Sequence, residues 1–117
     1  MTREVVCERE FNTVLDGETI PILVQWMKPQ PDGTDWRCDY SIAWPDRPLH
    51  RGYAMGVDSA QALVLAFSMA SGELEFGAWP VRWFDNEVND LGLPNSAGPD
   101  RRIRVVTLRG AWPPDTR

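Results

Sequence analysis

Apolar and polar positions alternate through the first half of the chain, and this period of two is typical of strands with one buried face. Two alternating runs, 3–13 and 18–28, flank Asp16-Gly17. An Asp-Gly pair between such runs predicts a hairpin closed by a type I′ turn. The turn also predicts the register, which pairs Leu15 with Glu18, Phe11 with Ile22 and Cys7 with Trp26. Arg9 is the only polar residue on the face that positions 5, 7, 9 and 11 form with positions 20, 22, 24 and 26, so the binary pattern agrees with the hairpin.

The third run, 36–44, has the clearest alternation, and its apolar face consists of Trp36, Cys38, Tyr40, Ile42 and Trp44. A turn cluster at 29–33, rich in proline, separates it from the hairpin. The fourth run, 49–57, places Leu49, Tyr53, Met55 and Val57 on one face, interrupted by Arg51. His50, Gly52 and Gly56 lie on the other face, where glycines indicate a bulge or a close approach of another backbone.

A helix is predicted to begin at Asp58, because Asp58 and Gln61 form a variant of the capping box. It ends near Ser71 with Gly72 as the residue after the cap, or it continues to Leu74. The stripe expected to cover the sheet comprises Ala60, Leu63, Phe67, Ala70 and Leu74. On the opposite side, Leu65 lies between Gln61 and Ser68, and Ala62 and Met69 flank it. Either a C-terminal segment packs over this strip, or the strip is exposed for dimerisation or partner capture.

The remainder of the chain is less regular. A short strand is predicted at 81–84, loops around the glycines and prolines of 92–99, and an edge strand at 103–109. Together these elements predict a single α+β domain over 1–117, with an ordered core at about 3–109 and a mobile tail at 110–117. Its architecture is a β-hairpin meander, an antiparallel sheet of four to five strands with one main helix packed on one face.

The composition fits an ordinary globular domain, with 43% hydrophobic and 25% charged residues, and the formal net charge is −5. Residues 58–99 are acidic and residues 100–117 are basic. A negative chain is repelled by phosphate, so nucleic acid is an unlikely partner. The sequence has neither a membrane-length apolar run nor a signal peptide, so we expect a cytoplasmic protein. Eleven Arg, one Lys and ten Pro are typical of a GC-rich bacterial genome.

The residues that carry most enzyme chemistry are scarce. Cys7, Cys38 and His50 are the only cysteines and the only histidine, which nearly excludes a structural zinc site. No nucleophile, phosphate-binding or zinc-protease motif is present. We therefore expect no enzymatic activity, no cofactor and no metal. Both cysteines are predicted to be reduced thiols on strands, and a redox pair requires that their strands be neighbours.

Candidate binding residues come from two groups. The carboxylates Asp85, Glu87 and Asp90 form either a solvated loop, a contact surface for a basic partner, or a cation site. Of the six tryptophans, Trp26, Trp36 and Trp44 are assigned to the core by their alternation. Trp79, Trp83 and Trp112 remain as candidate interface anchors, since tryptophan is enriched in binding hot spots. With Leu65 and Met69 from the helix, the predicted partner-binding set is Leu65, Met69, Trp79, Trp83, Asp85, Glu87 and Asp90.

Three short motifs carry a resemblance to a known family. They are W-x-C-x-Y-x-I at residues 36–42, G-x-D-x-x-Q-A-L at 56–63 and L-G-[FL]-P at 91–94. Together they resemble a family of small bacterial domains of unknown function, over roughly residues 20–95. The resemblance implies an antiparallel sheet with one packed helix and brings no catalytic residues. Small acidic bacterial domains of this kind are frequently immunity proteins that lie beside secreted toxins.

These observations favour a non-enzymatic binding protein, an immunity protein that neutralises a cognate secreted toxin by direct binding. The acidic balance would speed capture of a basic toxin domain. Two alternatives remain open. One is a self-associating structural or regulatory module, a homodimer that uses Leu65 and Met69. The other is a small-molecule-binding protein or enzyme with a pocket lined by Trp79 and Trp83.

Overall fold

The computed structural model describes residues 4–95 and 104–105 and shows an antiparallel sheet with one helix packed against it. This confirms the predicted α+β fold. The five strands of the sheet are β1 (Val5–Leu15), β2 (Glu18–Met27), β3 (Gln30–Asp32), β4 (Asp35–Ala43) and β5 (His50–Gly56). The helix α1 (Ser59–Glu75) follows, and two short strands, β6 (Pro94–Asn95) and β7 (Arg104–Val105), pair with each other.

The first hairpin has the predicted turn and register. Asp16 and Gly17 have φ angles of 52° and 80°, the left-handed pair that a type I′ turn requires. Leu15 pairs with Glu18, and Cys7 pairs with Trp26, with a bulge between Val5 and Cys7. Because the side chains alternate, this register places Phe11, Ile22, Val24 and Trp26 in the core.

The strand β3 lies in the segment that the sequence predicted to be only a turn. It pairs with β4 along the same edge that β2 occupies further on, so β2 and β3 act as one strand interrupted near Pro29. Gly33, with φ 67°, closes the tight turn into β4. The prolines at 29 and 31 concealed this strand, because proline is unfavourable within a sheet.

The helix begins as predicted, and it ends later than the first of the two predicted ends. Asp58 Oδ1 accepts a hydrogen bond from Gln61 N at 2.8 Å, and Gln61 Oε1 accepts one from Val57 N at 2.8 Å. The helix continues through Gly72, and the N–H of its C-cap, Phe76, donates to Gly72 O at 3.0 Å. Gly72 is therefore an interior helical residue.

The buried face of α1 contains Ala70 and Leu74 of the predicted stripe and otherwise differs from it. Ala60 is exposed, and Leu63 and Phe67 are half-buried. The other buried residues are Ala62, Ala66, Ser68 and Ser71, of which Ala62 and Ser68 were expected on the opposite side. A Cβ on Gly56 would lie 2.4 Å from the backbone nitrogen of Ala62. The helix thus lies almost directly on β5, and the absence of a side chain at Gly56 makes room for this approach. The close backbone approach predicted from the glycines is confirmed.

The strand β5 presents the opposite face to the core from the one predicted. His50, Gly52, Ala54 and Gly56 pair with the buried side of β4, beneath α1. Leu49, Tyr53, Met55 and Val57 are exposed. The prediction placed the larger, more hydrophobic side chains of β5 in the core. Because α1 packs closely on β5, the inward face instead carries mainly small residues.

Residues after the helix close one end of the fold. Val81, Leu91 and Leu93 are buried in the core. The predicted strand at 81–84 is reduced to one bridge, in which Arg82 and Asn12 exchange backbone hydrogen bonds of 2.9 Å. Of the predicted edge strand at 103–109, the described residues include only β7; Trp112 and the tail 110–117 lie outside them. Within the described part of the chain, no helix is long and apolar enough to cross a membrane.

Cys7 and Cys38 lie on β1 and β4, which are separated by β2. Strands in a sheet are about 4.8 Å apart, so two strand spacings exceed the Cα separation that a disulfide spans. The strands are not neighbours, and the condition for a redox pair is not met.

Candidate functional site

The acidic loop, residues 82–90, connects the bridge on β1 to the segment that re-enters the core. Three backbone hydrogen bonds fold it onto itself, from Asn86 N to Trp83 O, from Asn89 N to Val81 O and from Asp90 N to Glu87 O, at 2.9–3.2 Å. The buried Asn86 adds a hydrogen bond from Nδ2 to Asp90 O at 3.2 Å. The loop is therefore internally braced.

Two residues of the acidic loop have left-handed backbones, Phe84 with φ 56° and Asn89 with φ 69°. Asparagine tolerates this conformation, whereas for phenylalanine it costs about 1–2 kcal/mol. The strained backbone carries the Phe84 ring outward, where 62% of the residue is exposed. Backbone strain of this kind concentrates at functional positions, which makes Phe84 a candidate contact residue that the sequence pattern did not indicate.

Trp83 anchors the acidic loop from beneath. The Arg9 guanidinium lies 3.6 Å from the centre of the Trp83 ring, and Arg9 Nη1 donates to Leu91 O at 2.9 Å and to Gly92 O at 3.1 Å. Gly92 has φ 68°, and a Cβ there would lie 2.0 Å from the Trp83 ring. Burial lowers the pKa of Arg9. Trp83 is half-buried by this packing, so it supports the loop and presents less of its own surface than expected.

The three carboxylates of the acidic loop do not form a cation site. Asp85 and Glu87 are exposed and Asp90 is half-buried. Among residues 4–95, no group of three or more His, Cys, Asp or Glu side chains is arranged to hold a metal ion. The two exposed carboxylates follow the exposed Phe84 closely in sequence, so the loop displays negative charge and an aromatic side chain together.

The other predicted binding residues lie apart from this loop in the fold. On α1, Met69 is 50% exposed, whereas Leu65 is half-buried against the core. Trp79 is also half-buried, and its Nε1 donates to Asp46 Oδ1 at 3.4 Å. The helical strip therefore offers mainly Met69.

A cluster that sequence analysis missed joins α1 to the sheet. Tyr40 donates its hydroxyl to Glu73 Oε2, and His50 Nε2 lies 2.6 Å from Glu73 Oε1. Burial and the Glu73 carboxylate raise the pKa of Tyr40. The cluster depends on Gly52, since a Cβ there would lie 2.5 Å from the Tyr40 ring. His50 was expected on the solvent side of β5; it lies on the helix side because β5 turns its small residues inward.

Two concave sites lie elsewhere. One, of about 450 Å³, lies on the sheet face that α1 does not cover and is lined by residues of β1, β2, β4 and β5 together with Leu49. The other, of about 360 Å³, lies beside Cys7, Trp26 and Phe67. Burial raises the pKa of the Cys7 thiol, which disfavours the nucleophilic thiolate. Neither site is lined by Trp79 or Trp83.

Comparison with known proteins gives one family. A family model described as a domain of unknown function (DUF6968) matches residues 7–95. This span contains the whole five-stranded sheet except the start of β1, together with α1 and the acidic loop. No curated protein and no solved structure matches the chain.

Proposed function

The chain belongs to the DUF6968 family, and from this premise we propose that it is a non-enzymatic binding protein whose acidic loop captures a basic protein partner. In its specific form, the proposal is that the protein is a bacterial immunity protein that occludes a cognate secreted toxin. The observation that carries the proposal is the exposed Phe84 ring on a strained and internally braced loop.

The loop has the composition of a protein-binding hot spot. Binding energy concentrates in a few aromatic or arginine side chains, surrounded by contacts that exclude water. Phe84 is the aromatic side chain, and the exposed Val88 adds apolar surface. Because Arg9 and Trp83 hold the loop in place, little conformational entropy is lost when the partner binds.

Charge favours a basic partner. The loop carries Asp85, Glu87 and Asp90 against Arg82 alone, and the whole chain has a formal charge of −5. Complementary charge raises association rates above the 10⁵–10⁶ M⁻¹s⁻¹ that is typical of neutral pairs. An immunity protein must bind a toxin before the toxin acts, so rapid capture suits that function.

The test uses the full chain and the protein encoded by the neighbouring reading frame. Co-expression should protect cells from that protein, and the two should form one complex on size exclusion. Phe84→Ala should weaken binding about 30-fold, the effect of losing one hot-spot side chain. The matched control is Phe76→Ala, which removes a ring that is 77% exposed at the C-terminal end of α1 and should bind as the wild type does.

A second pair of variants distinguishes electrostatic steering of the partner from direct contact with it. Asp85→Lys should lower the association rate and its dependence on salt, whereas Asp32→Lys makes the same charge change on an exposed residue of β3, away from the loop. The neighbour-specific immunity proposal is overturned if protection and complex formation are both absent. If a complex forms but Phe84→Ala binds like Phe76→Ala, the assignment of the loop is overturned.

A further inference from the structure

The sheet face that α1 leaves uncovered contains a cup of about 450 Å³. Its apolar wall comprises Val5, Met27 and Leu49, and Val5 and Leu49 are exposed. The volume falls within the range of pockets that hold small molecules. The cup lies on the opposite side of the sheet from the buried core.

Ser41 contributes a hydroxyl to the lining of the cup. Ser41 is 3% exposed and borders the cavity, yet its hydroxyl makes no hydrogen bond to any described residue. The Ser41 oxygen is not among the enclosed side-chain atoms without a partner, so it is accessible from the cup. A serine hydroxyl can donate one hydrogen bond and accept others, and it is therefore available to a polar atom of a ligand.

Arg51 supplies the charge that identifies the ligand. It pairs directly with Ser41 across β4 and β5, so both side chains project from the same face about 5 Å apart at Cβ. No acidic residue of the described chain lies within ion-pair distance of Arg51. Asp39, which also lines the cup, already accepts a hydrogen bond from Arg37 Nε at 3.0 Å. Arg51 therefore brings a positive charge to the cup, and this charge has no ion-pair partner among the described residues.

We propose that the cup binds a small apolar carboxylic acid. The carboxylate would accept hydrogen bonds from the Arg51 guanidinium and the Ser41 hydroxyl, a pairing in which arginine can bind both oxygens. The hydrocarbon part would lie against Val5, Met27 and Leu49. Gln25 completes the floor; its Nε2 is held by Glu8 at 2.9 Å, and Glu8 itself does not line the cup. This site is separate from the acidic loop and does not depend on the function proposed for that loop.

The test titrates the full chain with hexanoate and follows backbone amide shifts by NMR. Binding should be saturable, with the largest shifts on β2, β4 and β5. Hexanamide, which has the same body without the charge, should bind at least about tenfold more weakly, as should hexanoate to Arg51→Met. The matched control is Arg47→Met, an exposed arginine outside the cup, which should leave hexanoate binding unchanged. Ser41→Ala should weaken binding a few-fold.

Three outcomes would overturn the proposal: no saturable binding at millimolar hexanoate, shifts centred outside the cup, or equal binding by Arg51→Met and Arg47→Met. Amide spectra of the variants show directly whether they are folded. A heptapeptide with a free C-terminal leucine, compared with its amide, tests a protein source of the same chemistry. If that peptide binds in the cup and hexanoate does not, the cup receives a chain terminus and the small-acid assignment is wrong.

Discussion

Replacing Gly56 with alanine tests whether the close approach of α1 to β5 determines the packing of the fold. The added Cβ would lie 2.4 Å from the Ala62 nitrogen and 2.9 Å from the Ala62 Cα. Ordinary contacts of a Cβ begin near 3.4 Å, so the helix or the strand must move by about 1 Å. Because the obstructing atoms belong to the backbone, no side-chain rotation relieves the contact.

The size of the effect follows from overpacking. Forcing one extra carbon into a tight interior costs about 1–3 kcal/mol, and here the upper half of that range applies because a whole helix must shift. Gly72→Ala is the matched control, since a Cβ at that helical position has nothing within 4 Å. It should stabilise the protein by about 0.5–1 kcal/mol, the helix preference for alanine over glycine.

Urea unfolding followed by tryptophan fluorescence measures both variants. With an m-value of about 1–1.5 kcal/mol/M, Gly56→Ala should lower the midpoint by roughly 1.3–3 M, while Gly72→Ala raises it slightly. Adding Ala62→Gly to Gly56→Ala should give no rescue, because the clash involves backbone atoms of that residue. A Gly56→Ala midpoint equal to or above that of the wild type would refute the proposed geometry, as would a rescue by Ala62→Gly.

Three further outcomes are expected. Arg9→Met should lower the free energy of unfolding by about 1–3 kcal/mol, because two backbone carbonyls and the Trp83 ring lose their partner. Amide hydrogen exchange in the segment 82–95 should become faster; unchanged exchange there would contradict this. The pKa of Tyr40 is raised in the folded state, so its contribution to stability is complete below about pH 10 and decreases as the pH rises towards the folded value; urea midpoints measured against pH should fall less steeply on the alkaline side in Tyr40→Phe. Burial raises the pKa of Cys38 to about 11, so a thiol reagent at neutral pH should modify Cys7 before Cys38, and mass spectrometry finding the reverse order would count against the described burial.

The sequence predicts the hairpin well because local chemistry decides it. Asp16-Gly17 selects the turn, and the turn together with strict alternation leaves one register for Phe11 and Ile22. The start of the helix is equally local, since Asp58 and Gln61 cap it. By contrast, the inward face of β5 depends on how closely α1 approaches, and that distance is set by Ala62 meeting Gly56 across the interface.

The candidate site was predicted only in part, for a similar reason. Three carboxylates in a row of loop residues indicated a contact surface, and Asp85 and Glu87 are exposed as that interpretation requires. Phe84 could not be identified as a contact residue from the sequence. Its exposure follows from a left-handed backbone conformation, which a phenylalanine does not indicate. Trp83 looked like an anchor for a partner; its ring is instead partly occupied by Arg9, which lies 74 positions away in the sequence.

The hydrogen bond from Arg9 to Leu91 joins residues 82 positions apart, and this separation has a consequence for synthesis on the ribosome. At about 5–20 residues per second, Arg9 is synthesised roughly 4–16 s before the carbonyls that its guanidinium requires. Until then, Arg9 faces the apolar side of an unfinished sheet and needs water or a chaperone as its partner. The hydrogen bonds of Arg9 can therefore form only after Leu91 and Gly92 have been made, and a chain that terminates before Leu91 should form the hairpin with the Arg9 side chain still solvated.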